Sequence, residues 1–253
     1  AAGRPLRSPK SRRERLTLSP PPPSPENPKP LGVEVVVDAP RFPPDLLHHE
    51  PQLRRDAALL SNGGVGRPAL GGESLDRFYG QLHGSLRDMG VDGVKVDAQS
   101  AASALGAGSG GGAAAAQRLH SALKRSAADN FADRGGGGAA APLVLHCMCH
   151  APQVLAALAH QWRRPLLRGS DDFYPTQPAS HAAHVHANAF NSLLLGMLGQ
   201  VDWDMFQSIL PAQEDPNAGG GADASRWAWL HAAARAVSGG PVYLSDRPGA
   251  HDA

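Results

Sequence analysis

The sequence has little cysteine, no long apolar run and almost no net charge, and each shortage removes a class of function. Its 253 residues include two cysteines, Cys147 and Cys149. With one residue between them on a strand they point the same way and bridge poorly, which argues against a disulfide framework and favours a reducing compartment. No apolar stretch approaches the roughly 20 residues that cross a bilayer, and no signal-peptide pattern is present, so no membrane role is expected. The formal net charge of +1 supplies no field to draw nucleic acid or an anionic surface, although residues 1–15 hold much of the positive charge. A neutral small-molecule partner is the expectation that remains.

Residues 1–30 are rich in Arg, Ser and Pro, including the run Pro20 to Pro23, with no periodic apolar face to bury. They read as a disordered segment. An Arg- and Ser-rich, acid-poor start also fits an organelle transit peptide, which makes the plastid the alternative to the cytoplasm. From residue 31 to residue 253 short apolar runs alternate with longer helical patterns, the signature of βα units on a parallel sheet. The expected strands are Val33 to Val37, Gly93 to Val96, Leu143 to Cys147, Pro165 to Leu167 and Pro241 to Leu244, with a weaker one at Gln200 to Trp203. The expected helices are Ala113 to Phe131, Pro152 to Trp162, His181 to Leu198 and Ser225 to Val237, where Ala, Leu or Val recur at three- and four-residue spacing. Gly106 to Ala116 and Gly135 to Ala141 read as expanded loops.

Nearly every one of these strands ends in an acid: Asp38, Asp97, Asp171 with Asp172, Asp204 and Asp246. In a (β/α)₈ barrel such positions converge at one mouth, where catalytic residues come from several strand ends. Two carboxyls are the minimum for glycoside chemistry. A single Asp after a strand is as well explained as a helix N-cap. The succession of them, beside Phe173, Tyr174, Trp203 and Phe206, favours an active site, although those aromatics suit either sugar stacking or packing of the barrel top.

Five ordered segments carry a resemblance: Gly90 to Gln99 (Gly-Val-Asp-Gly-Val-Lys-Val-Asp-Ala-Gln), Cys147 to His150 (Cys-Met-Cys-His), Arg168 to Pro175 (Arg-Gly-Ser-Asp-Asp-Phe-Tyr-Pro), Asp202 to Phe206 (Asp-Trp-Asp-Met-Phe) and Tyr243 to Asp252 (Tyr-Leu-Ser-Asp-Arg-Pro-Gly-Ala-His-Asp). Together they resemble the raffinose synthase and seed imbibition protein (alkaline α-galactosidase) family, similar to glycoside hydrolase family 36. The resemblance implies the C-terminal part of a (β/α)₈ TIM barrel, about strands three to eight, and a retaining mechanism on α-galactosides. Asp97 is then the nucleophile and Asp171 the acid/base, with Lys95, Cys147, Asp172, Trp203 and Asp204 as sugar contacts. Period-two alternation points Lys95 and Asp97 into the same mouth. The implied substrates are galactinol, sucrose and raffinose-type α-galactosides. The resemblance favours transfer from galactinol to sucrose, with hydrolysis or a non-catalytic fragment as the alternatives that share these residues, and without an Asp-Asp-Gly-Trp motif the chain reads as part of a longer catalytic unit.

No cofactor or metal is expected. His146, Cys147, Cys149 and His150 invite a zinc reading, but a tetrahedral site draws paired ligands from two segments. His181, His184 and His186 read as surface or packing residues. The Gly-rich run from Gly106 to Gly112 has no Gly-Lys-Ser/Thr ending and no dinucleotide fingerprint, which argues against a phosphate cradle.

Overall fold

The computed structural model describes residues 35–38, 65–68, 70, 73–104, 106, 110–132, 142–208 and 220–249. The expected disordered segment 1–30, the loop 135–141 and the end of the last motif (His251 and Asp252) lie outside the described residues. The chain divides into two compact units, Ala1–Val91 with Ala101–Asp133, and Asp92–Ser100 with Arg134–Ala253.

In the first unit, β1 (Val35–Asp38) pairs antiparallel with β2 (Val65–Pro68), followed by α1 (Ser74–Asp88), α2 (Ala101–Ala104) and α3 (Gly111–Phe131). Val35 to Val37 of the expected first strand are thus in β1, and the expected Val33 and Glu34 lie outside the described residues. Both β2 and α1 escape the sequence pattern. In α3, alanine-rich turns bury Ala115, Ala116, His120, Ala122, Leu123, Ser126, Ala127 and Phe131, a helical period that turns one face inward. Leu70, Leu75, Ala115 and Ala122 form a core with Tyr79 and Leu119 packed against it.

The second unit is built on β3 (Gly93–Val96), β4 (Leu143–His146), β5 (Leu166–Arg168) and β6 (Gln200–Asp202), all parallel in the order β3-β4-β5-β6. Between and after these strands run α4 (Pro152–Gln161), α5 (Pro178–Leu195) and α6 (Gly220–Ser238). Both α4 and α5 carry a proline in the first turn, where its missing N–H has no intrahelical partner to lose and its fixed φ suits the helix. Val144, Leu167 and Val201 are buried on three successive strands, with Val154, Ala157 and Leu158 of α4 also inside. At Gly93 a Cβ would stand 2.6 Å from the Leu143 carbonyl oxygen, so only glycine lets β3 lie this close to β4.

Parallel strands bring all their C-terminal ends to one edge, where open α/β sheets bind ligands. Among the described residues, three of the four non-glycine residues with positive φ sit two positions beyond a strand end: Ala98 (54°), Met148 (44°) and Asp204 (64°). Left-handed backbone of this kind is held only where its surroundings enforce it, and it clusters at functional sites. The turn at Asp204 also explains the short final strand. Among the described residues, pairing resumes as a parallel bridge between Phe206 and Leu244, where the sequence predicts a strand from Pro241 to Leu244. Among the described residues no helix is long and apolar enough to cross a membrane.

Candidate active site

A cleft of about 380 Å³ opens at this C-terminal edge, lined by Asp97, Cys147, Met148, His150, Gly169, Ser170, Asp171, Asp172, Tyr174, Ala187 and Asn191. Asp97, Cys147, Asp171 and Asp172, expected at the site from sequence, are thus brought together from β3, β4 and β5. Asp97 Oδ1 accepts the Ala98 N–H at 2.7 Å, and Lys95 Nζ stands 3.9 Å from Asp97 Oδ2 with both side chains about half exposed. Cys147 is buried and its backbone N–H donates to the Val96 carbonyl. Burial, with Asp97 opposing the charge of Arg168, holds its thiol above its ordinary pKa.

Asp171 is exposed and stands in a loop clamped at several points. Asn188 Nδ2 donates to Ser170 Oγ at 2.8 Å, Asn191 Nδ2 donates to the Gly169 carbonyl at 2.7 Å, and the Phe173 N–H donates to Asp204 Oδ2 at 2.7 Å. Gly169 has no room for a side chain: a Cβ there would meet Asn188 Oδ1 at 2.6 Å and Val201 Cγ1 at 2.7 Å. His150 Nε2 lies 2.8 Å from the Arg168 carbonyl oxygen. A carbonyl only accepts, so Nε2 carries the proton.

Behind the cleft lies a charged centre. Arg168, 2% exposed, donates from Nε to Asp202 Oδ2 at 3.0 Å and from Nη1 to Asp172 Oδ1 at 2.9 Å, with Nη2 at 2.8 Å from Asp204 Oδ1. Burial works against its charge, but Asp204 and Asp202 outweigh it and raise its pKa. The Tyr243 hydroxyl donates to Asp202 Oδ2 at 3.0 Å. Arg235, also buried, donates to the Trp203, Asp204 and Met205 carbonyls at 2.9, 2.7 and 2.9 Å. Burial lowers its pKa to about 10.

Not every expected residue reaches the cleft. Trp203 is buried with Nε1 donating to Ser192 Oγ, and both Asp204 oxygens are engaged by Arg168, Phe173 and Met205. Asp246 accepts the Ser208 N–H and hydroxyl, and the side chain of Asp38 lies outside the described residues. Of the four aromatics, Phe173, Trp203 and Phe206 are buried and Tyr174 lines the cleft. Three residues of the zinc reading turn to different partners, His146 to Gln99, Cys149 to the His146 carbonyl and His150 to the Arg168 carbonyl, and Cys147 lines the cleft. His181 and His184 pack around Phe173 with His231, while His186 is exposed and stacks on Phe190. Sequence reasoning missed Arg168, Arg235, His150 and Asn191 as site-building residues. An Arg closing the apolar run Leu166-Leu167-Arg168 is the one signal that was available, since a charge inside a buried strand needs partners.

The sequence profile described as "Raffinose synthase or seed imbibition protein Sip1" matches residues 24–253. "Probable galactinol--sucrose galactosyltransferase 6" of Arabidopsis thaliana is 38% identical over 217 residues, 86% of this chain and 25% of that protein. "Probable galactinol--sucrose galactosyltransferase 1" of the same plant is 41% identical over 180 residues, 71% of this chain and 20% of that protein. The "Galactinol--sucrose galactosyltransferase" of Oryza sativa subsp. japonica is 33% identical over 224 residues, 85% of this chain and 25% of that protein. The chain spans between a fifth and a quarter of the length of these relatives.

Proposed function

The chain belongs to the raffinose synthase and seed imbibition protein family, and from that premise we propose that it takes part in retaining transfer of an α-galactosyl group from galactinol to sucrose. The observation that carries the reading is that Asp97 and Asp171, delivered by two different strands, line one cleft at the C-terminal edge of a parallel sheet. Four parallel strands in sequential order with intervening helices suit the later part of a (β/α)₈ barrel.

In the first step an Asp97 oxygen attacks the anomeric carbon. The bond from that carbon to the leaving oxygen breaks, and Asp171 gives that oxygen its proton. The product is a β-galactosyl ester on Asp97 with Asp171 ionised. In the second step the acceptor hydroxyl passes its proton to Asp171 as its oxygen displaces Asp97, which restores the α-linkage and both carboxyls. Lys95 stands beside Asp97 and Cys147 lines the cleft with it, and Asp172 borders the space that the sugar would fill. Trp203 and Asp204 are given a supporting role, shaping the loop of Asp171 from behind. Hydrolysis differs only in using water as acceptor, and the exposure of Asp171 and Asp172 favours retaining it as the second reading.

The test is to trap the intermediate with a slow-turnover fluorinated galactosyl donor and locate the added mass. It should reside on the peptide containing Asp97. Azide then separates the two acids. Asp97→Ala should yield β-galactosyl azide by single inversion, and Asp171→Ala should yield α-galactosyl azide by double displacement. Asp171→Ala should also lose about 10²–10⁴-fold on galactinol and far less on an activated phenyl galactoside, which departs without a proton. A label on another carboxylate, or one anomer from both variants, would overturn the assignment.

A further inference from the structure

We propose that Tyr174 and Asn191 form the wall that holds the acceptor, an uncharged sugar ring, against Asp171. The inference rests on the galactosyl-transfer reading and adds to it a binding subsite. Whatever the chemistry of the donor, the acid/base touches the oxygen that belongs first to the leaving group and then to the acceptor. The acceptor must therefore lie on the Asp171 side of the reacting carbon, away from Asp97. On that side the loop after β5 and α5 contribute, beyond Asp171 and its neighbours Gly169 and Ser170, the cleft residues Asp172, Tyr174, Ala187 and Asn191.

Tyr174 has the properties of a stacking platform. The residue is 46% exposed and borders the cleft, while its neighbour Phe173 is buried. Its backbone is fixed on both sides. Pro175 follows and restricts it to extended conformations, and its carbonyl oxygen accepts from His181 Nε2 at 3.0 Å and from the Gln177 N–H at 3.1 Å. Positioning therefore happens before a ligand arrives, which limits the ordering that binding requires. One helical turn apart on α5, Ala187 leaves space and Asn191 offers an acceptor. Its Nδ2 is committed to the Gly169 carbonyl, so Oδ1 is the atom left to receive a sugar hydroxyl. With the three carboxylates, this makes a cleft rich in acceptors, which suits a polyol and repels an anion.

The experiment compares Tyr174→Ala and Tyr174→Phe with the unmodified 253-residue protein in two measurements. In the first, fluoride release from α-galactosyl fluoride, whose leaving group is too small to reach the acceptor wall, is followed without sucrose, and the ratio of transfer product to free galactose with it. In the second, sucrose binding is followed by saturation-transfer NMR. Tyr174→Ala should lower the transfer ratio at least about tenfold, the effect of about 1.4 kcal/mol of lost acceptor binding, and should lower fluoride release by much less. Its sucrose signal should be lost. Tyr174→Phe keeps the ring and should keep both. An unchanged ratio and an unchanged sucrose signal in Tyr174→Ala would overturn the subsite while leaving galactosyl transfer standing. Fluoride release lost in Tyr174→Ala but kept in Tyr174→Phe would move the ring to the galactose side and overturn it as well. No turnover by the unmodified protein, with the sucrose signal still dependent on the ring, would instead count against the transfer reading and support the sugar wall.

Discussion

The acids after β3 and β5 and the acids at the end of β6 hold equivalent positions in the sequence pattern and meet opposite fates. Asp97 and Asp172 have side chains 54% and 61% exposed and face the cleft. Asp202 and Asp204 are 0% and 1% exposed and bind the guanidinium of Arg168. Following a strand therefore brings an acid to the right edge of the sheet, and burial decides whether it faces substrate or structure. The selector is Arg168. It satisfies two carboxylates in the interior and extends Nη1 to a third at the cleft wall, linking the structural set to the site.

The strongest way to break this comparison is to remove the guanidinium. Arg168→Met leaves Asp202 and Asp204 buried without a countercharge, a change that costs about 3–5 kcal/mol. Urea unfolding should show a loss of that size, and adding Asp202→Asn and Asp204→Asn should recover much of it because neutral partners need no cation. Asp172→Ala removes the exposed arm of the same guanidinium and should cost about 0–1 kcal/mol. Equal losses from Asp172→Ala and Arg168→Met would mean that burial is not what separates the two sets.

An acid titration sharpens the contrast further. Burial lowers the pKa of His231 to about 3, with Arg235, His181 and His184 adding to the effect, and that of His120 to about 4. Burial also lowers His83, His181 and His184. Below the ordinary value of 6.5 the unfolded chain binds protons that the folded chain refuses. The stability these groups contribute is therefore complete above about pH 6.5 and is lost as pH falls toward 4 and then 3. Each proton of difference gives a slope of about 1.4 kcal/mol per pH unit. Thermal melts should begin to shift near pH 6.5, ahead of the carboxylate range, and His231→Gln should flatten the slope. A midpoint constant down to pH 4.5 would sink this account.

Much of the second unit was legible because its strands are short β-branched runs with a residue type change at each end. Gly93 to Val96 matches the observed strand at both ends, and Pro152 to Trp162 runs one residue past α4. The start of α5 was missed because Pro178 at its first turn reads as a loop signal when seen alone. In the first unit β2 is Val-Gly-Arg-Pro, and glycine and proline are depleted in strands. Tertiary pairing with β1 overrides that propensity. For the site, strand-end placement brought out Asp97, Asp171 and Asp172. Nothing local separates Asp204 from them, since its burial depends on Arg168, Phe173 and Arg235, all distant in sequence.

The smallest expected effect tests the exposed half of the comparison. Asp97→Asn keeps the volume and the oxygen that accepts the Ala98 N–H, so the left-handed turn at Ala98 keeps its support. What it loses is the Lys95 pair, 3.9 Å apart and half exposed on both sides, worth about 0–1 kcal/mol. Asp171→Asn alters an exposed side chain in a loop whose anchors are Ser170, Phe173 and Gly169. Both variants should therefore unfold within about 0.5 kcal/mol of the unmodified protein, while galactosyl-enzyme formation fails in the first and slows in the second. Residues that do chemistry are those whose removal is nearly silent in an unfolding curve and loud in an activity assay. Arg168, as a support, should be loud in both. If Asp97→Asn destabilised the chain as much as Arg168→Met, the acid after β3 would be structural like those of β6, and the nucleophile would have to be sought elsewhere on the cleft wall.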